Sequence, residues 1–136
     1  MSNLNQHQHI ISIYHDATLL DEQPTIQIHT MIETTFFPDY SMYFHSHDNL
    51  WQLWYVLEGE AYILIQETKH RASSKSFFLF KPSIRHSLQV TDFKICKILD
   101  IKWSFKSPLP TFLKDIPDII CIDGHERIHR IIEDIL

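Results

Sequence analysis

The sequence predicts a mostly β domain, either a β-sandwich or a small barrel, followed by one C-terminal α-helix. Between residues 26 and 103, β-branched and aromatic residues alternate with polar ones in seven short segments that polar breaks separate. Such a density of short strands is typical of sandwiches and barrels. Three prolines then interrupt the chain between residues 108 and 117, and isoleucines at helical spacing follow them.

The first and clearest predicted strand covers residues 26–36, where the alternation has a period of two. The same pattern predicts six further strands, at residues 40–45, 51–58, 61–66, 77–81, 84–90 and 93–103. Between two of these strands, the sequence Glu58-Gly59-Glu60 predicts a tight hairpin, because glycine tolerates the backbone conformations that such turns require.

The region after Trp103 is predicted to leave the sheet, because proline cannot donate a hydrogen bond to a neighbouring strand. Asp123 is a suitable helix N-cap, and Glu126 stands three residues on, where it would complete a capping box. The predicted helix carries an apolar stripe, which consists of Ile128, Ile131, Ile132 and Ile135. The pattern runs to Leu136 without a stop signal, so we expect a longer natural protein.

These patterns divide the chain into three parts. Residues 1–24 are polar and rich in His and Gln at their start, and we predict an N-terminal arm with one short strand at residues 10–14. Residues 25–106 are predicted to form the β domain. Residues 107–136 are predicted to form a linker and the beginning of the amphipathic helix.

The composition is that of one globular domain and excludes several functions. The 136 residues carry a net charge of −5 without a basic cluster, which argues against unaided nucleic-acid binding. Two glycines are too few for a glycine-rich phosphate loop. There is no apolar run of about 18–20 residues and no signal-peptide pattern, and the two cysteines lie far apart, so we expect a reduced, cytoplasmic protein outside the membrane.

The ten histidines are many for this length, and three of them form a pattern. His45 and His47 are two residues apart and would share one face of an extended strand, while His86 follows a proline turn. This resembles the motif pair of the cupin family, in which an H-x-H pair, a Glu and a distal His converge inside a small barrel and hold a divalent metal. Here Gln52 replaces the usual Glu, and Ser83 stands in the region of a usual Gly.

Two interpretations of this resemblance stay open. His45, His47, Gln52 and His86 would offer three imidazoles and an amide oxygen, which suit Zn²⁺, Ni²⁺ or Fe²⁺ better than a hard cation. Alternatively, these side chains line the barrel and hydrogen-bond one another or a small ligand, with no metal cofactor. We favour the second interpretation, because neutral ligands weaken a metal site.

Two other candidate patterns are set aside. Residues 125–129 match the zinc-protease signature H-E-x-x-H, but they stand at a helix start with too little chain after them for a third ligand. Cys96 and Cys121 have no base placed beside them, so we expect packed thiols and no nucleophile.

Three stretches, residues 45–59, 78–87 and 99–105, resemble in order and spacing the N-terminal sensor domain of AraC-family bacterial transcription regulators. The resemblance implies a cupin-like double-stranded β-helix, or jelly-roll barrel, that binds a small effector such as a sugar and is not an enzyme. It further implies a homodimer formed through the C-terminal helix. DNA would be bound only by a separate helix-turn-helix domain, which needs roughly another 100 residues and is expected to be absent from this chain.

The resemblance also assigns residues to roles. The implied ligand-binding side chains are His45, His47, Gln52, Trp54 and His86, together with Arg85 and Tyr43. The implied dimerisation residues are the four isoleucines of the helical stripe. The alternative is a stand-alone metal-dependent cupin enzyme, a dioxygenase or isomerase, that uses His45, His47 and His86 around one metal.

Overall fold

The computed structural model describes residues 6–10, 26–91, 94–106 and 109–136, with side chains from residue 26 onwards except that of Phe112. Within these residues the chain forms eight β-strands and two α-helices. The strands are β1 (Gln6–Ile10), β2 (Ile26–Phe36), β3 (Trp51–Ile65), β4 (Thr68–Ser73), β5 (Phe77–Phe80), β6 (His86–Val90), β7 (Cys96–Phe105) and β8 (Ile119–Ile122). The helices are α1 (Thr111–Lys114) and α2 (Glu126–Ile135).

The strands pair antiparallel in the order β1-β2-β7-β3-β5-β8, and β3 also pairs with β4 and β6. The first half of β3 lies between β7 and β5, whereas its second half lies between β4 and β6. One long strand therefore belongs to two sheets and closes them around a common interior. The predicted mostly β fold with a C-terminal helix is confirmed, and so is the strand at residues 26–36.

The predicted hairpin at Gly59 is wrong, because β3 runs through this residue without a turn. Gly59 has a φ of 84°, and a β-carbon placed there would lie 1.9 Å from the carbonyl oxygen of Ile95. A register shift between Val56 and Glu58 marks a bulge just before it. Glycine is thus required for a close backbone approach where the strand passes from one sheet to the other. The hairpin that joins β3 to β4 turns at residues 66–67.

Two further strand boundaries differ from the prediction. Residues 40–45 form only isolated bridges, at Ser41 and His45, where a continuous strand was expected. Residues 67–71, interpreted as a polar break, are mostly part of β4, which is exposed at four of its six positions. Strand pairing here depends on the partner β3, so the local alternation of apolar and polar residues does not reveal it.

The sheet also extends beyond both predicted ends. β8 pairs with β5, so the expectation that the sheet ends near Trp103 is wrong, and the segment 107–136 contributes a strand as well as a helix. At the other end, β1 covers Gln6–Ile10 and pairs with β2. The short strand expected at residues 10–14 overlaps β1 at Ile10 only, and its other residues lie outside the described ones.

Two separate apolar clusters stabilise the fold. The inner cluster fills the barrel with residues such as Trp54, Val56, Ile63 and Phe80. The outer cluster lies on the opposite face of β2, β3 and β7, under α2, and consists of Met31, Tyr55, Leu99, Ile101 and Ile132. Because side chains alternate between faces, β3 and β7 contribute to both clusters.

Helix α2 is positioned differently from the prediction. Its N-cap is His125, whose side chain accepts a hydrogen bond from the backbone N–H of Ile128, whereas Asp123 accepts one from the Ser76 hydroxyl at 2.7 Å. Of the predicted dimerisation stripe, Ile132 is 4% exposed and Ile128 packs beside it on the outer cluster. The other two isoleucines remain exposed. No helix among the described residues is long and apolar enough to span a membrane.

Candidate ligand-binding site at the histidine cluster

His45, His47 and His86 lie together at one end of the barrel, and we call them the histidine cluster. A pair of backbone hydrogen bonds joins His45 to His86, at 3.1 and 2.9 Å, although the segment around His45 is not a strand. The ring centroids are 4.4 Å apart for His45 and His86, 5.0 Å for His45 and His47, and 5.7 Å for His47 and His86. The three imidazoles converge, with ligating nitrogens within 4.8 Å of one another.

Backbone carbonyls determine the tautomers of two of these rings. Nδ1 of His45 lies 2.9 Å from the carbonyl oxygen of Tyr43, and Nδ1 of His86 lies 2.8 Å from that of Ile84. A carbonyl oxygen can only accept, so both Nδ1 atoms carry the proton and donate it. In the neutral rings each Nε2 therefore offers a lone pair.

Three buried acceptor-capable atoms at this end of the barrel have no hydrogen-bond partner among the described residues. They are Nε2 of His47, Nε2 of His86 and Oε1 of Gln52. Leaving such groups buried and unpaired costs about 1–3 kcal/mol each, which a folded protein rarely retains without a use. A ligand atom, a cation or an ordered water molecule placed between them would supply the missing partner.

Burial lowers the pKa of two of the three imidazoles. The pKa of His86 is lowered from 6.5 to about 4, mainly because burial disfavours the charged ring, with further lowering by the neighbouring His45 and His47. Burial also lowers the pKa of His47, where Lys102 and His45 act in the same direction and Asp100 opposes them. His86 is therefore an acceptor at neutral pH.

Gln52 is held by residues that the sequence analysis missed. Its Nε2 donates to Oδ1 of Asp100 at 2.9 Å, and Nζ of Lys102 donates to the other carboxylate oxygen at 2.7 Å. Because the amide nitrogen is engaged by Asp100, the amide oxygen is left as the free acceptor. Only the register of β3 against β7, in which Gln52 is opposite Lys102 and Trp54 opposite Asp100, brings these side chains together.

Aromatic rings form the apolar floor of the cluster. The ring of Phe80 stacks on His86 with centroids 4.6 Å apart, and Trp54 meets the same imidazole edge-on at 5.0 Å. Trp54 is 2% exposed and packs against Phe80 as well. Trp54, predicted to contact ligand, thus lies beneath His86, where it holds the ring in place.

Two predicted ligand residues are not brought into the cluster. The side chain of Tyr43 is 88% exposed, and only its carbonyl takes part, as the acceptor for His45. Arg85 stacks over Phe44 at 5.6 Å and lines a separate surface cavity of about 460 Å³ together with Glu67. Both residues are close in sequence to cluster residues, but the Tyr43 side chain is exposed to solvent and the Arg85 side chain packs against Phe44.

The donor set of the cluster also fits a metal ion of the borderline class. Three imidazole nitrogens, with the amide oxygen of Gln52 as a candidate fourth ligand, match the preferences of Zn²⁺, Ni²⁺ or Fe²⁺. The two Nδ1 hydrogen bonds to carbonyls orient His45 and His86 in the way that metal-ligating histidines are usually oriented.

The other candidate patterns have structural roles. In the H-E-x-x-H segment, His125 caps α2, and His129 bonds to the Tyr55 hydroxyl through Nδ1 and to Glu133 through Nε2 at 2.9 Å. Both nitrogens of His129 are engaged, so no zinc site forms there. Cys96 is fully buried, and burial raises its pKa to about 12, which excludes a reactive thiolate at neutral pH.

An antiparallel barrel with an H-x-H pair and a third histidine at its polar end has the architecture of the cupin fold. Solved structures confirm this. The bacterial pirin YhhW from Escherichia coli, in complex with nickel(II), has a TM-score of 0.64 at 14% identity, over 92% of this chain and 54% of that one. KdgF from Halomonas sp. has a TM-score of 0.56 at 15% identity, over 80% and 84%. A predicted oxalate decarboxylase from Thermotoga maritima has 0.53 at 16%, over 55% and 65%.

The sequence comparison is more specific than the structural one. Residues 33–98 match the family model described as AraC-like ligand binding domain. This match agrees with the resemblance to AraC-family sensor domains, and the solved structures agree with a fold of the cupin type. Among curated proteins, no sequence match was found.

Proposed function

We propose that this chain is the effector-sensing part of an AraC-family transcription regulator. A small molecule binds at the histidine cluster, and its binding changes how a separate helix-turn-helix domain engages DNA in the cytoplasm. In this proposal the domain performs no chemistry on its ligand. The family match of residues 33–98 supports the sensing role.

The observation that carries the proposal is the set of unpaired buried atoms at Gln52, His47 and His86. His86 and Gln52 present acceptors, since Nδ1 of His86 and Nε2 of Gln52 already donate to protein groups. A fitting ligand therefore presents hydrogen-bond donors, as the hydroxyl groups of a sugar or another polyol do. The rings of Trp54 and Phe80 next to His86 add an apolar floor of the kind that ligand pockets use.

The strand β3 offers a route from the cluster to the C-terminal helix. Gln52 and Trp54 face the barrel, while Tyr55, the next residue along the strand, faces outwards and bonds to His129 of α2. A ligand that binds one arrangement of β3 more tightly than another would shift the docking of α2. We propose that this shift is what the DNA-binding part of the protein senses.

A thermal-shift screen against sugars, other polyols and small aromatic acids tests the sensing role. We expect a saturable rise in Tm for one compound class, because a ligand that binds only the folded state stabilises it. The variant His47→Ala should lose this rise, whereas His70→Ala, a change in β4 away from the cluster, should keep it. A rise that survives in His47→Ala would show that the ligand binds elsewhere.

We also propose that the domain forms a homodimer through the exposed face of α2. Ile131 is 52% exposed and Ile135 is 39% exposed, whereas Ile128 and Ile132 pack in the outer cluster. Light scattering at tens of micromolar should report a dimer, and Ile131→Asp should yield a monomer that keeps the wild-type circular dichroism spectrum but has a Tm that no longer depends on protein concentration. Arg127→Ala, on the same helix, serves as the control. A monomeric wild-type protein would contradict the proposal.

A second candidate function is a metal-dependent cupin enzyme, which the convergence of three imidazoles favours. Elemental analysis of protein purified without chelators separates the two functions. Stoichiometric metal that is lost in His47→Ala would favour the enzyme, whereas metal-free protein that still gives a ligand-dependent Tm rise would favour the sensor.

A further inference from the structure

The position at which cupin motifs carry a glutamate is occupied here by Gln52, which has no charge. A carboxylate is nevertheless close behind it. Asp100 on β7 accepts the amide hydrogen bond of Gln52 at 2.9 Å, and its side chain is only 19% exposed. The negative charge of Asp100 is therefore linked to the histidine cluster through the side chain of Gln52, to which it is hydrogen-bonded.

This hydrogen bond has two consequences for the cluster. It determines which end of the amide is free, so that Oε1 and not Nε2 is the unpaired buried atom. It also polarises the amide, because an N–H group that donates to a carboxylate makes the amide oxygen a stronger acceptor. Asp100 can therefore strengthen the interaction of Gln52 with a positively charged ligand atom without contacting that atom.

Lys102 acts against Asp100. Its Nζ binds the second carboxylate oxygen of Asp100 at 2.7 Å, and its side chain is only 16% exposed. Because the ammonium group of Lys102 partly neutralises the carboxylate that accepts from Gln52, it weakens the effect of Asp100 on the amide. Asp100 and Lys102, two oppositely charged residues of β7, thus have opposite effects on a cation at the histidine cluster.

We propose that Asp100 and Lys102 are positioning residues that set how strongly the histidine cluster holds a divalent cation. Asp100 orients and polarises Gln52, and Lys102 weakens the effect of the carboxylate. The inference rests on the histidine cluster being the ligand site of the proposed function. It does not require that the natural effector be a metal ion, since Zn²⁺ serves as the probe.

Zn²⁺ titration by calorimetry, with Co²⁺ absorption as a second readout, tests the inference. Asp100→Ala should weaken Zn²⁺ binding about tenfold or more, as the loss of an outer-shell partner commonly does. Lys102→Met should tighten binding, about threefold. If the ion pair had a purely structural role, Zn²⁺ binding would weaken in both variants. The decisive result is therefore weaker binding in Asp100→Ala together with tighter binding in Lys102→Met. Asp100→Asn keeps an acceptor for Gln52 but loses the charge, and should fall between Asp100→Ala and the wild type.

The matched control is the ion pair of Glu33 and Lys97, which joins β2 to β7 at 3.3 Å. Glu33→Gln and Lys97→Met should leave Zn²⁺ binding unchanged. Binding that weakens equally in Asp100→Ala, Lys102→Met and these controls would overturn the inference. So would a wild-type protein that binds neither Zn²⁺ nor Co²⁺, although the compound screen would still decide the sensing role.

A stability measurement tests the contact between Gln52 and Asp100 without any ligand. Gln52→Glu should lower Tm, because it places two carboxylates at hydrogen-bond distance. Adding Asp100→Asn should restore most of the loss, since the Asn amide can donate to the new carboxylate. A double variant no more stable than Gln52→Glu alone would overturn the inference.

Discussion

The two faces of β3 differ in whether their buried polar groups have hydrogen-bond partners. On the outer face, Tyr55 is buried under α2, and its hydroxyl is bonded to His129. On the inner face, Gln52 is equally buried, but its amide oxygen has no partner among the described residues. Satisfied polar groups stabilise a fold, whereas unsatisfied ones cost stability. The outer face therefore serves to hold the helix, and the polar end of the inner face is adapted to binding.

The largest effect should come from the apolar contact of the outer face. Ile132→Ala removes a side chain that is 4% exposed and should lower the free energy of unfolding by about 2–4 kcal/mol. Urea unfolding measures this change. Ile131→Ala, one residue away but 52% exposed, should change it by less than about 0.5 kcal/mol. Similar losses in both variants would mean that α2 does not dock as described.

On the inner face, the burial of His86 should make stability depend on pH. The pKa of His86 is about 4 in the folded state against 6.5 for an ordinary histidine. Between these values the unfolded chain binds a proton that the folded chain does not, so stability falls as pH is lowered from about 7 to about 4. The full effect is about 3 kcal/mol.

Urea unfolding at a series of pH values, with a chelator present, measures this dependence. His86→Asn should lose most of the slope, because the Asn side chain does not titrate. His70→Asn, a change at a half-buried histidine in β4, should keep the wild-type slope. An identical slope in all three proteins would show that His86 is not the group responsible.

A smaller effect is expected for the polar contact of the outer face. With Nε2 of His129 donating to Glu133, Nδ1 accepts the hydrogen bond of the Tyr55 hydroxyl. Tyr55→Phe leaves that nitrogen unpaired and should cost about 1–2 kcal/mol in thermal or urea unfolding. Tyr62→Phe, on the same strand, should cost less than about 0.5 kcal/mol. Equal costs would contradict the assigned bond.

The smallest change in stability should follow from substitution of the binding residue itself. Gln52→Met has a similar length and removes an unpaired buried oxygen, but it also removes the hydrogen bond to Asp100, whose carboxylate keeps its bond to Lys102. Because the two changes oppose each other, the free energy of unfolding should stay within about 1 kcal/mol of the wild type. Ligand-dependent stabilisation in the compound screen should nevertheless be lost. A strong loss of stability would show that Gln52 is structural, and the contrast between the two faces would fail.

Several features of the fold could be predicted from local patterns, and others could not. The alternation at residues 26–36 depends only on which side chains face the core, and β2 has these boundaries. Gly59 was correctly singled out but wrongly explained, because a turn and a close backbone approach both require glycine. β4 and β8 lack a strong alternation of their own, and each is a strand because β3 or β5 offers it a partner.

By itself, the sequence determined the class of fold, the three histidines and the match of residues 33–98 to the AraC-like ligand binding domain family. These depend on residue type and spacing along the chain. The tertiary structure decided that His45 pairs with His86, that the Tyr43 side chain is exposed and that of Arg85 packs on Phe44, and that Asp100 bonds to Gln52. Such contacts depend on strand register, and register is set by how whole strands bury their faces against one another.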